Sequence, residues 1–208
     1  MLVLCVENES RLIGDSPKRR GELMRTLSLC LVGTSPLLLH RVARHERREE
    51  IAAPAGTEQS LLAFADAARM VMSKNEQGKP AVPVSWITDA LRAGCSKVVQ
   101  NGQQMSFAKV NAELRLPEGF LEVRDTDNHA PAWTPYSSVQ HAGPNSQESI
   151  LVIAPKFKDW MLTLLVEVEG NFPDDALLLQ IFNEAGRCGI GLFHPPKKQF
   201  GQFRCSVL

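Results

Sequence analysis

Nine consecutive positions, His40-Arg41-Val42-Ala43-Arg44-His45-Glu46-Arg47-Arg48, carry four arginines and two histidines. Guanidinium groups stay charged and grip phosphate or carboxylate oxygens in pairs, so this run suits a phosphate backbone or an acidic protein partner. On a helix, Arg41, Arg44 and Arg48 share one face. The plain alternative is a solvated amphipathic helix, with Glu46, Glu49 and Glu50 opposing the arginines. A histidine such as His40, beside an apolar run, is ordinarily structural. With Arg41 and Arg44 to stabilise charge on a phosphate, it also has the makings of a general acid–base.

A second chemistry-bearing segment lies near the end of the chain. Gly189-Ile190-Gly191 is followed by Phe193, Pro195, Pro196, Lys197, Lys198, Phe200, Gly201 and Arg204. Glycines without Cβ atoms let a main chain approach a ligand closely, and their amides can cradle phosphates. Lys197, Lys198 and Arg204 add positive charge, and Phe193 and Phe200 can stack on unpaired bases. The plain alternative is a tight connection between a helix and a strand.

Other chemistries find little support. The histidines His40, His45, His129, His141 and His194 form no HxxxH or HExxH set, so no metal site is expected, including at Asp125, Asp127, His129 and His141. There is no GxxxxGK[ST] motif and no GxSxG elbow, and Gly189–Gly191 follows an expected helix rather than a strand. No cofactor is expected. The five cysteines, Cys5, Cys30, Cys95, Cys188 and Cys205, are odd in number and include no CxxC pair. A disulfide framework is therefore not expected, and a reducing cytoplasm fits.

Lys plus Arg and Asp plus Glu both number 23 in 208 residues, a formal net charge of zero. Bulk charge therefore cannot coat a nucleic acid, and any polyanion site must be a local patch. The longest apolar runs, such as Leu27–Val32 and Leu162–Val166, fall well short of the ~20 residues of a membrane helix. Residues 1–23 show no useful periodicity and carry Pro17, Lys18, Arg19 and Arg20. They read as a flexible extension, a basic arm, or a stretch upstream of a natural start at Met24. Residues 24–208 read as one domain.

Several elements position these segments. Arg25–Gly33 alternates as a strand. Thr57–Lys74 has helical spacing at Leu61, Ala65, Ala68 and Met72, with Thr57 as the N-cap. A turn at 75–80 leads to a short helix over Ser85–Ala93, capped by Ser85 and stopped by Gly94. Ser106–Val110 and Phe120–Val123 are expected strands. Asp125–Gly143, rich in Pro, His, Asn and Ser, opens a long excursion to about residue 154. Trp160–Glu169 is a strand with Trp160, Leu162, Leu164, Val166 and Val168 on one face. Asp174–Ala185 is a helix with a stripe of Leu178, Ile181, Phe182 and Ala185, ended by Gly186. The loop 186–201 leads into a last strand, Gln202–Val207. This order predicts a ferredoxin-like α+β fold, with both helices on one sheet face and the other face or its loops left for partners.

The segment Val82-Pro83-Val84-Ser85-Trp86-Ile87-Thr88-Asp89-Ala90-Leu91-Arg92 is similar to the I-P-G-S-S-L-K-G-A-L-R segment of RAMP-superfamily proteins, the ferredoxin-like RNA-binding subunits of CRISPR effector complexes. Gly189–Gly191 and Phe200-Gly201-Gln202-Phe203 resemble the glycine-rich loop after the last helix of that superfamily. Together with Pro36 and His40, these segments also resemble a group of phage and prophage proteins. The resemblance covers about half the chain in three pieces. It departs at Val84, which replaces a glycine, at Thr88 and Asp89, which replace Lys and Gly, and at Gln202.

The resemblance implies a non-enzymatic protein that binds single-stranded RNA or a ribonucleoprotein in the cytoplasm, through Arg41, Arg44, Arg48, Arg92 and the glycine segment. A phage copy of a CRISPR backbone subunit that mimics it is a variant of this expectation. Two alternatives stay open: a metal-independent endoribonuclease centred on His40, and a phage structural protein without nucleic acid.

Overall fold

The computed structural model describes residues 24–41, 58–141, 149–169, 172, 174–193 and 199–208. The chain begins with β1 (Arg25–Gly33), β2 (Leu37–Leu38) and α1 (Glu58–Met70). Next come β3 (Ala81–Pro83), α2 (Val84–Cys95), β4 (Val99–Gln100), β5 (Gln103–Gln104), α3 (Phe107–Glu113), β6 (Leu114–Arg115) and β7 (Phe120–Glu122). It ends with β8 (Trp133–His141), β9 (Ser149–Phe157), β10 (Met161–Val168), α4 (Asp175–Cys188) and β11 (Phe203–Val207).

The main sheet has the order β11-β1-β10-β6, and every pairing in it is antiparallel. With α2 between β1 and β6, and α4 between β10 and β11, this is the β-α-β-β-α-β order and strand arrangement of a ferredoxin-like fold. Alternation decides which face is covered. Leu162, Leu164, Val166 and Val168 of β10 are buried, as are Leu29 and Leu31 of β1. They pack with Ile87, Ala90 and Leu91 of α2 and Leu178, Ile181, Phe182 and Ala185 of α4. The predicted stripes of both helices and of β10 are therefore the core.

A second sheet, β2-β9-β8, is a long hairpin flanked by the short β2. Ala67 and Ala68 of α1 pack on its Ile153, with Trp133 and Leu151 alongside. Its Phe157, with Leu37 and Leu39, joins the main core. The sequence reads 125–154 as an excursion, but strands β8 and β9 take up much of it. Pro135 and Pro155 hid the strands, since proline lacks the N–H a ladder needs. The register sets the two prolines opposite each other. The carbonyl of Pro155 accepts from Leu39 of the β2 side (3.1 Å), so its missing donor also faces away from β8.

Other boundaries also differ. Ser106–Val110, expected as a strand, mostly belongs to α3, with Val110 as its buried residue. Ser85 does not cap α2; Pro83 is the N-cap. Gly94 lies inside α2, where a Cβ would come 2.5 Å from the amide nitrogen of Ala185, so it permits close contact with α4. Gly186 likewise lies inside α4, against the Phe203 carbonyl, and Gly189 (φ 75°) ends the helix. At its start, Asp174, read from sequence as the first helical residue, is instead the N-cap and accepts from the Leu177 amide at 2.5 Å. Among the described residues no helix is long and apolar enough to cross a membrane.

Candidate nucleic-acid interface

Residues 34–38 and the glycine segment hold each other by backbone bonds. Thr34 N–H donates to the Gln202 carbonyl (2.8 Å), Gly201 N–H to Pro36 (2.8 Å) and Leu192 N–H to Leu38 (3.1 Å). Gln202 N–H donates to Ser35 Oγ (2.9 Å). The indole of Trp160, fully buried, donates to the Ser35 carbonyl at 2.7 Å. Ile190 N–H closes the segment on Gly201 (3.0 Å), and Gly189 N–H returns to Ala185 (3.0 Å).

This geometry takes two of the three glycines out of the expected amide cradle. The amides of Gly189, Ile190, Leu192 and Gly201 point at the chain's own carbonyls and are not offered to a phosphate. The glycines are there because of close packing: a Cβ on Gly191 (φ 80°) would lie 2.7 Å from the Leu38 carbonyl oxygen, and one on Gly201 (φ 68°) would overlap that of Ile190.

What the segment does offer is its aromatic residues. Phe200, half-buried, meets Tyr136 edge-on, with ring centroids 5.4 Å apart at 63°. Tyr136 alternates to the hairpin side opposite the one bearing Trp133, and in the register Lys156 is next to it on that side. The Lys156 ammonium lies 5.9 Å from the Tyr136 ring centre. Among the described residues Lys156 has no ion pair. Phe193, half-buried, adopts φ 58°, a left-handed turn within the same segment. The result is a half-exposed cation and two rings beside a bonded backbone, which suits stacking on an unpaired base next to a phosphate.

Tyr136 and Lys156 were not singled out as binding residues from sequence. The signal was the alternation of Thr134, Tyr136 and Ser138 against Trp133 and Val139, masked by the two prolines.

The remaining predicted residues are scattered. His40 forms an isolated bridge with Met72 beyond the end of α1, and Arg41 N–H donates to the Val71 carbonyl (2.6 Å). Burial holds the His40 pKa below its ordinary value. Arg41 is exposed and, among the described residues, without an ion pair. Arg92 is tied to α2 and α3: it pairs with Asp89 (3.2 Å) and lies 4.9 Å from the Phe107 ring centre. Arg204 is exposed on β11. Arg44, Arg48, Lys197 and Lys198 lie outside the described residues, as do residues 1–23. Asp125 bends its own turn by accepting from Asp127 and His129 amides (3.1 and 2.7 Å). Among the described residues no cluster of three or more His, Cys, Asp or Glu side chains could hold a metal.

The open face of the main sheet differs from the expected platform. Register places Thr26, Ser28, Cys30 and Val32 of β1 there, with Met161, Thr163, Leu165 and Glu167 of β10 and Arg204 and Ser206 of β11. None of these is aromatic.

The topology defines a ferredoxin-like α+β protein with a β-hairpin insertion, which brings Tyr136 and Lys156 beside Phe200. No family model matches the chain, and no curated protein does. Solved structures that it resembles include a chain of the type III-B Cmr-beta complex bound to cognate target RNA, at 9% identity and a TM-score of 0.46. That similarity covers 88% of this chain and 61% of the other, so this chain spans less than two thirds of it. A second is Cmr6 from Pyrococcus furiosus, at 11% identity and a TM-score of 0.45, covering 88% of this chain and 98% of that one.

Proposed function

We propose that this protein binds single-stranded RNA, within a ribonucleoprotein, without cleaving it. The observation that carries this reading is the Tyr136–Phe200 pair beside Lys156, which has no ion pair among the described residues, next to the bonded backbone of Gly201 and Gln202. A pre-ordered aromatic surface binds a flexible strand at a lower ordering cost than a mobile one. The similarity of Val82–Arg92 to the RAMP segment supports the same reading, as does the ferredoxin-like strand order. Arg41 adds exposed charge to the 34–41 segment, and Arg44, Arg48, Lys197 and Lys198 are proposed to extend it. Zero net charge suits a strand shared with neighbouring subunits better than one coated by this chain alone.

Fluorescence anisotropy with a labelled single-stranded RNA tests this. Stacking is worth ~1–3 kcal/mol per base, so Tyr136→Ala or Phe200→Ala should weaken binding by roughly 5- to 150-fold. Lys156→Ala should weaken it less and flatten its salt dependence. Binding untouched by all three substitutions overturns the assignment. The RNA should stay intact with EDTA present; cleavage abolished by His40→Ala would replace this reading with the ribonuclease one.

A further inference from the structure

The alternation that buries Leu162, Leu164, Val166 and Val168 of β10 turns Met161, Thr163, Leu165 and Glu167 to the other face of the main sheet. Both helices of the core pack on the first face. On the second, Leu165 is 58% exposed, and half-buried Val32 and Met161 lie with it across β1 and β10.

This face carries charge at both ends. Arg115, opposite Glu167 in register, pairs with Glu169 (3.9 Å), and Arg124, opposite Met161, pairs with Glu122 (3.2 Å). Among the described residues the exposed Arg204 and Glu167 have no ion pair. They cannot pair with each other. Arg204 is level with Val32 and Met161, and Glu167 stands six residues further along β10. That is ~20 Å along the strands and ~10 Å across two strand spacings. A surface with a spare cation at one end and a spare anion at the other complements a copy of itself turned end for end.

We propose that this face is the contact for a second copy of the chain, with the two sheets packed face to face about a two-fold axis. The axis lies in the interface and crosses β1 beside Leu29. It sets each Arg204 opposite the other copy's Glu167, so the ion pair forms twice. On a grid of ~6.8 Å along the strands and ~4.8 Å between them, the same operation brings each Leu165 over the other copy's Cys30 and Val32. Nine residues of β1 by four strands measure ~30 by ~19 Å, roughly 600 Å² per copy. That is the small end of specific interfaces, so the dimer is reversible. The contact uses none of Tyr136, Lys156 or Phe200, and it does not rest on RNA binding.

Sedimentation equilibrium of the full chain tests this, with a monomer–dimer equilibrium as the expected result. Leu165→Asp, at an exposed position, should abolish the dimer and leave a folded monomer. Arg204→Glu and Glu167→Arg each turn two attractions into two repulsions, so each alone should weaken association roughly tenfold or more. The double variant restores opposite charges and should recover native association. Lys97→Glu, the same change of charge on the exposed turn after α2, should have no effect. A chain that stays monomeric at ~1 mM, or a dimer unaffected by Leu165→Asp, overturns the proposal. So does a double variant that associates no more tightly than the single ones. A monomer whose hexauridylate binding weakens in Arg204→Glu gives the face to RNA instead, and equally overturns the dimer.

Discussion

Replacing Gly201 by alanine tests whether the glycine segment is a packed clasp. Gly201 has φ 68°, a left-handed conformation that costs an alanine ~1–2 kcal/mol. Its new Cβ would overlap the Ile190 carbonyl oxygen and lie 2.8 Å from that carbonyl's carbon. Relief requires the loop to shift, and two bonds run through this residue: Ile190 N–H to its carbonyl (3.0 Å) and its own N–H to Pro36 (2.8 Å). Each is worth ~1 kcal/mol net, so the total loss is roughly 3–4 kcal/mol. That is a large share of the ~5–15 kcal/mol typical of a domain. Gly102 provides the control. Its φ is 78°, but nothing lies within 4 Å of a Cβ there, so alanine should cost only the conformational ~1–2 kcal/mol. Urea denaturation of both variants, at equal m-values, measures the difference. If Gly201→Ala falls within about 0.5 kcal/mol of Gly102→Ala, the clasp does not hold the fold as described.

Three more outcomes follow from the packing and the titrating groups. Trp160→Phe removes the indole bond to Ser35 and leaves a small void, and should cost roughly 2–3 kcal/mol in thermal or urea unfolding. Burial pushes the Cys205 thiol up to about 12 and Cys95 to about 11. The folded state therefore keeps these protons after the unfolded state has lost them, and stability present below about pH 9 should fall as pH rises toward 11–12. Thiol labelling at pH 8 should accordingly leave both cysteines unmodified until the chain is unfolded. His40 moves the other way: its lowered pKa means the unfolded state binds more protons, so stability should decline as pH falls below the ordinary histidine value of ~6.5. His40→Gln should flatten that acid-side decline in a pH series of melting curves.

The main sheet and its helices were legible because their signals are periodic. Leu162, Leu164, Val166 and Val168 alternate without a break, and Leu178, Ile181, Phe182 and Ala185 keep one helical face. The ends of those helices were less legible. Gly94 and Gly186 look like stop signals, yet each sits where two backbones touch, and sequence cannot distinguish a glycine needed for rotation from one needed for room. The candidate interface was half legible. Phe200 and Arg204 stood out beside the glycines, but the amides of Gly189 and Gly201 are taken up within the chain, that of Gly201 because residues 34–38 fold back onto the same segment. Tyr136 and Lys156 come from the hairpin, 64 and 44 positions before Phe200, and only long-range pairing brings them to it.

The side chain of Asn183 bonds Cys205 through both its carbonyl and its N–H, at 3.0 and 3.4 Å. It imitates, for one residue, the partner that β11 would otherwise accept along its outer margin. The sheet therefore ends there by design of its own sequence, and no neighbouring subunit can lengthen it by laying a strand alongside Cys205. Along this margin a partner must join through side chains rather than by adding a strand to the sheet.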